Sequence, residues 1–268
     1  MRDLLLQRLP PERPAAERRH HLREMLQIIL LKILHESPDG TALAFTGGTA
    51  LRLLHGLPRF SEDLDFSLIR PEKYGFDRLV KHVQTSLAKL ALPADFKAKS
   101  EKSVQHLHVQ FRGLLQDAGL SSQAGQKLPI RLEIDANPPG GWQTAVALLS
   151  GFQTFPVLHF DLPSSFATKL HACLYRRYAK GRDFYDLMWY LGKKIRPNLA
   201  VLNEAIAQTQ ATPAAFDARL LQQALLRRLA ALDEKQLQQE VAPFLIHPEE
   251  LKLLEFDLMQ QVVQGYEF

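Results

Sequence analysis

Residues 45–68 read FTGGTALRLLHGLPRFSEDLDFSL, and the fold follows from how this stretch divides. The apolar run 42–45 predicts a buried strand ending in Gly47-Gly48, where glycine permits a tight turn and close backbone approach. A helical pattern over 49–55 follows, with Ala50, Leu51, Leu53 and Leu54 apolar. After the break at 56–58, a second strand carries Asp63 and Asp65. Strand side chains alternate, so both carboxylates leave one face while Leu64 and Phe66 turn to the core. Two like charges side by side require a cation, and hard divalent ions take such oxygen ligands. A helix N-terminus behind a glycine turn holds phosphate. Taken singly, these are a tight turn and a solvated strand. Together they suit a nucleoside triphosphate with a divalent ion.

The chain has 268 residues, enough for one large domain or two small ones. Hydrophobic residues at 46% and charged residues at 23% are ordinary for a soluble globular protein. The single Cys173 excludes an internal disulfide and a Cys-rich zinc site, and points to a reducing cytoplasm. It lies in a helical apolar pattern, as buried packing. The N-terminal stretch lacks the apolar core and cleavage site of a signal peptide, and no apolar run is long enough to span a bilayer. A net charge of +4 and a pI near 9.1 permit a nucleic-acid partner without requiring one. Basic residues gather at Arg18, Arg19 and Arg23, at Lys97, Lys99 and Lys102, and from Arg176, Arg177, Lys180 and Arg182 to Lys193, Lys194 and Arg196.

In chain order, 1–14 is Arg-, Leu- and Pro-rich and predicts a loosely attached arm. Apolar spacing from Leu22 to Leu34 predicts an amphipathic helix over 15–36, followed by a turn at 37–40. Pro71 opens a helix through 74–92. A short strand is expected at 96–99, a half-exposed strand at 105–111, a polar hairpin loop at 115–126 and a strand over 127–136. The strands at 105–111 and 127–136 pair antiparallel in this reading. His106 and His108, with no third ligand in view, read as a solvated strand face. A further short strand falls around 155–160. At 162–165 a helix begins with a serine cap, and the pattern is helical from there to the end, broken at Pro197, Pro213 and Pro243.

GG-T-A-L…R-F-S-E-D-L-D-F resembles the first motif of the DNA polymerase β-like nucleotidyltransferases. Gly47-Gly48-Thr49, where the wider superfamily has Gly-Ser, is closer to the AbiEii/MenT branch, the toxin half of type IV toxin–antitoxin and abortive-infection systems. A second motif resembles the same branch: 166–191 reads FATKLHACLYRRYAKGRDFYDLMWYL, with K-L-H-A followed by R-D-x-x-D-L. The resemblance implies an α/β fold, a polymerase β-like mixed sheet with helices over 15–160, followed by a helical domain over 161–268. It places a lysine and an aspartate of the second motif in the active site, by position Lys169 and either Asp183 or Asp186. An ammonium suits nucleotide phosphates and a leaving pyrophosphate. Aspartates in a first helical turn also favour the helix dipole whatever their function.

The implied reaction is two-metal nucleotidyl transfer from an NTP, using Mg²⁺ or Mn²⁺. Asp63 and Asp65 hold the ions, with a third carboxylate from a neighbouring strand: Asp135 at the strand end is the residue chosen, and Glu133 on the same face is the alternative. Gly47, Gly48 and Thr49 cradle the triphosphate, and Arg59 and Ser61 lie close enough in sequence to assist. The branch implies a tRNA acceptor modified at its 3′ end and a cognate antitoxin. Two other readings share the first motif: AMP transfer to a protein or small molecule, and a non-catalytic nucleotide- or RNA-binding module.

Overall fold

The computed structural model describes residues 1–101, 103–123, 125–210 and 215–268. Lys102 of the second basic cluster, Ala124 of the polar loop and Pro213 among the C-terminal helix breaks lie outside the described residues. The chain divides into two compact units. One comprises Met1–His55, Phe60–Asn137 and Val146–His159, the other Gly56–Arg59, Pro138–Ala145 and Phe160–Phe268.

The first part of the chain runs α1 (Arg2–Gln7), α2 (Ala15–Glu36), β1 (Leu43–Thr46), α3 (Gly47–His55), β2 (Leu64–Leu68), α4 (Phe76–Lys89), β3 (Ala94–Ser100) and β4 (Val104–Phe111). It continues with the short α5 (Leu114–Asp117), β5 (Leu128–Asp135), β6 (Thr144–Ser150) and β7 (Thr154–Phe160). The strands form one mixed sheet in the order β3-β4-β5-β2-β1-β7-β6. β2 runs antiparallel to β1 and parallel to β5, and β4 is antiparallel to both β3 and β5. The strand–turn–helix–strand unit therefore sits mid-sheet.

Alternation decides the two faces of the β3–β4–β5–β2 part. Leu107, Val109 and Phe111 of β4, Ile130, Leu132 and Ile134 of β5, and Leu64 and Phe66 of β2 are buried on one side. They share a core with Leu22, Leu26 and Leu30 of α2 and Leu79, Val83 and Leu87 of α4. Burying a side chain of this kind is worth about 1.5–3 kcal/mol. The opposite side of these strands keeps the polar residues.

Two sequence expectations are corrected. The N-terminal arm is packed: α1 buries Leu5 completely, Leu9 is buried behind it, and Arg2 pairs with Asp117 of α5. The polar loop at 115–126 is not a bare hairpin, because α5 occupies its start. β6 had no counterpart in the sequence reading. Its central outward positions, Val146 and Leu148, are apolar, so the alternation that marks a half-exposed strand is missing.

The second unit is helical: α6 (Leu162–Tyr175), α7 (Gly181–Gly192), α8 (Leu199–Thr209), α9 (Ala218–Ala230), α10 (Glu234–Val241) and α11 (Phe256–Gln264). Carboxylate and amide side chains cap α6, α8, α9 and α10. Asp161 Oδ1 accepts from the Ser164 amide at 2.9 Å, so the cap of α6 is the aspartate rather than the expected serine. Asn198, Asp217 and Asp233 cap α8, α9 and α10 in the same way. Gly181 opens α7 where α10 approaches closely. A Cβ there would stand 2.0 Å from the Leu237 carbonyl oxygen, and the Gly181 amide donates to Glu240 Oε2 at 3.0 Å.

Candidate functional site

The glycine turn and the carboxylate pair of the first unit meet directly. Gly47 has φ of +75°, a left-handed conformation that side chains rarely adopt, and a Cβ there would stand 2.1 Å from Asp65 Oδ2. The Asp65 carboxylate thus lies against the backbone that opens α3, where the helix dipole favours negative charge. Gly48 and Thr49 are buried in the same turn. The Thr49 hydroxyl donates to the Asp63 carbonyl and ties the start of α3 to the entry of β2. The Ser61 carbonyl accepts from Gln27 Nε2 of α2 at 3.1 Å. Both side-chain bonds hold the backbone that leads into Asp65.

Register places the remaining polar groups of this face. Asp65 stands opposite Glu133, Glu133 opposite His106, and His106 opposite Lys99, so one row crosses β2, β5, β4 and β3. Arg131 stands opposite His108, and His108 opposite Lys97, in a second row. Arg131 Nη2 donates to Asp63 Oδ2 at 2.8 Å and so joins Asp63 to that row. Burial would lower the Arg131 pKa, but Asp63, Glu133 and Asp65 raise it further, and the guanidinium stays charged. The two imidazoles lie 6.4 Å apart, centroid to centroid. Asp135 stands opposite Ser67, and its Oδ1 accepts from the Asn137 amide at 2.9 Å. Burial raises its pKa, only partly offset by that hydrogen bond. Of the two candidate third carboxylates, Glu133 is therefore the one beside Asp65.

In the second unit the structure gathers Arg59, Lys169, Asp183 and Asp186 in one buried cluster. Arg59 is 2% exposed and grips Asp186 with two bonds, Nε to Oδ1 and Nη2 to Oδ2, both 2.6 Å. Its backbone also bridges to Leu245. Lys169 Nζ lies 2.7 Å from Asp183 Oδ1 and 2.9 Å from Asp186 Oδ2. Arg176 pairs with Asp183 from the partly exposed side, and the Asp183 carbonyl accepts from Cys173 Sγ. Burial alone would drive the Lys169 pKa down, but Asp183 and Asp186 raise it well above the usual lysine value. Burial would likewise raise Asp186, yet Arg59 and Lys169 hold it below the ordinary carboxylate value. Three cations, Arg59, Lys169 and Arg176, thus face the carboxylates of Asp183 and Asp186.

The sequence reading missed three of these features: the Arg131–Asp63 pair, the contact of Arg176 with Asp183, and the partnership of Arg59 with Asp186. Arg131 could have been found, since it shares the outward parity of Glu133 on β5. Arg59 and Asp186 are 127 residues apart and carry no local signal.

The sequence matches the nucleotidyl transferase AbiEii toxin family, type IV toxin–antitoxin system, over residues 28–259. The chain belongs to this family. The fold agrees. The crystal structure of JHP933 from Helicobacter pylori is similar at a TM-score of 0.54 and 21% identity, covering 90% of this chain and 89% of that one. A second H. pylori structure, described as a candidate nucleotidyltransferase, is similar at a TM-score of 0.50 and 22% identity, covering 90% of this chain and 92% of that one. No curated protein matches. As an AbiEii-family toxin the chain is a nucleotidyltransferase, with an NTP as substrate and an antitoxin as partner. Among the described residues no helix is long and apolar enough to cross a membrane.

Proposed function

We propose that this nucleotidyltransferase transfers a nucleoside monophosphate from an NTP to the 3′ end of an RNA, in the first place a tRNA, and releases pyrophosphate. The observation that carries the reading is the contact between Gly47 and Asp65, which sets a carboxylate beside a glycine turn of the kind that can receive phosphate. The donor set fits a hard divalent ion. Asp63, just ahead of β2, and Asp65 within it offer carboxylate oxygens, and Glu133 stands beside Asp65. Among the described residues no three such side chains form a ready-made cage. Asp63 and Asp65, with Glu133 third on register, would hold Mg²⁺ or Mn²⁺, which neutralises charge on the triphosphate and activates the acceptor hydroxyl when bound.

The chain's own groups do the rest. The Gly47, Gly48 and Thr49 backbone receives the β- and γ-phosphates. The Lys169 ammonium, kept charged by its two aspartates, suits phosphate, with Lys169 and Asp183 as the residues that act and Arg59 and Asp186 holding them in place. An RNA acceptor is supported by the two rows on the open face. Lys97, Lys99 and Arg131 suit backbone phosphates, and the His106 and His108 rings suit base stacking. The rows reach across three strand spacings, about 14 Å from β2 to β3.

The test incubates the protein with labelled NTP and total tRNA before and after periodate oxidation of the terminal ribose. Label on intact tRNA that disappears after oxidation supports 3′ transfer. Label on protein, or label insensitive to oxidation, assigns a different acceptor.

A further inference from the structure

The two edges of the sheet differ in chemistry. At one edge β3 reads ADFKAKS, with Lys97 and Lys99 exposed and Asp95 paired to Lys127 at 2.6 Å. Charge of this kind is how natural sheets prevent an edge strand from templating another. At the other edge β6 reads TAVALLS and carries no charge at all. No Asp, Glu, Lys or Arg occurs between Asp135 and Asp161. Val146 is 64% exposed and Leu148 72%, among the most exposed large apolar side chains of the described residues, and they share one face. Pro156 and Leu158 of the adjoining β7 line, with Val146, an apolar hollow of about 280 Å³ on that face. An uncharged edge beside an uncovered apolar face is a protein interface rather than a solvated strand.

The strand also matches itself. Antiparallel pairing of two copies about Ala147 sets Val146 opposite Leu148 of the copy, Ala145 opposite Leu149, and Thr144 opposite Ser150. Each exposed apolar side chain then covers its counterpart, and hydroxyl meets hydroxyl at both ends. The position on the axis, where a side chain meets its own copy, is an alanine, small enough for close approach. A two-fold contact requires this self-complementarity.

We infer that β6 is a homodimer edge, at which a second copy of this chain pairs antiparallel about Ala147 and the two sheets join into one. The inference stands apart from the transfer reaction, since it uses no residue of the candidate site.

Sedimentation of the purified full chain across the micromolar range, with Leu148→Lys and Ala147→Cys variants, tests it. The wild-type chain is expected to dimerise reversibly. Leu148→Lys is expected to raise the dimer dissociation constant at least about 100-fold, roughly tenfold for each of the two symmetry-related leucines, with an unchanged circular dichroism spectrum. Ala147→Cys is expected to form an intermolecular disulfide on oxidation, while the one native cysteine, Cys173, is buried. A wild-type chain that stays monomeric, or a dimer that survives Leu148→Lys, overturns the inference. Cross-linking through a cysteine placed at 148 but not at 147 overturns the register.

Discussion

Gly47 and Asp65 meet backbone to carboxylate, so closely that a methyl group on Gly47 would stand 2.1 Å from the Asp65 oxygen. The glycine serves two ends. It takes the left-handed turn at φ +75°, and it leaves room for the carboxylate at the start of α3. Gly47→Ala is therefore expected to cost about 1–2 kcal/mol from backbone strain alone and to displace Asp65. Transfer activity should fall at least about 100-fold while the chain remains folded. Thermal unfolding beside a rate assay checks both parts, and an alanine variant with wild-type rate removes the contact from the mechanism.

The buried pair Arg59–Asp186 predicts a non-additive response. Removing Arg59 alone, as Arg59→Met, leaves Asp186 short of its main partner and should cost about 3–5 kcal/mol. The double variant Arg59→Met/Asp186→Leu removes both charges and should recover a large part of that loss. Denaturant unfolding of the four chains measures the coupling. Additive losses would show that the two residues do not depend on each other.

Lys169 has two carboxylate partners, so its loss affects fold and chemistry together. Lys169→Gln is expected to lower the unfolding temperature. It should also abolish transfer at a temperature where circular dichroism shows the chain intact. If activity returned in full whenever the chain is folded, Lys169 would be a structural residue only.

Acid stability follows from His55. Burial, with the His159 ring 5.2 Å away, lowers its pKa from 6.5 to about 4. The folded state keeps the imidazole neutral where the unfolded chain would protonate it. The stability this group contributes is thus complete above pH 6.5 and is lost as pH falls towards about 4. Asp186, lowered by Arg59 and Lys169 against the effect of burial, holds its contribution to lower pH still. The unfolding temperature should be flat above pH 6.5 and decline between 6.5 and 4. His55→Gln, which cannot titrate, should flatten that decline. An unchanged slope would place the acid sensitivity elsewhere.

Much of this architecture is legible in the sequence, because periodicity is a local property. The helix expected over 15–36 is α2, Ala15–Glu36, and the antiparallel pairing of 105–111 with 127–136 is that of β4 with β5. What could not be read depends on contacts. The Arg-, Leu- and Pro-rich start predicts a loosely attached arm, whereas Leu5 and Leu9 pack into the core. β6 escaped notice because Val146 and Leu148 are apolar where an exposed strand face is usually polar. In the site, residue types were visible and partners were not. Nothing near Arg59 announces Asp186, and the choice between Glu133 and Asp135 beside Asp65 depends on a strand register.

In the proposed reaction the Asp63–Asp65 pair carries nucleotidyl transfer to RNA. The direct measurement follows label from each α-³²P NTP into tRNA, with pyrophosphate release, for the wild-type chain and for Asp65→Ala in Mg²⁺ and in chelator. Label on tRNA from a preferred nucleotide, matched by pyrophosphate and lost both in Asp65→Ala and in chelator, is the predicted result. Label that persists in Asp65→Ala, or nucleotide binding with no pyrophosphate released under any condition, would contradict it.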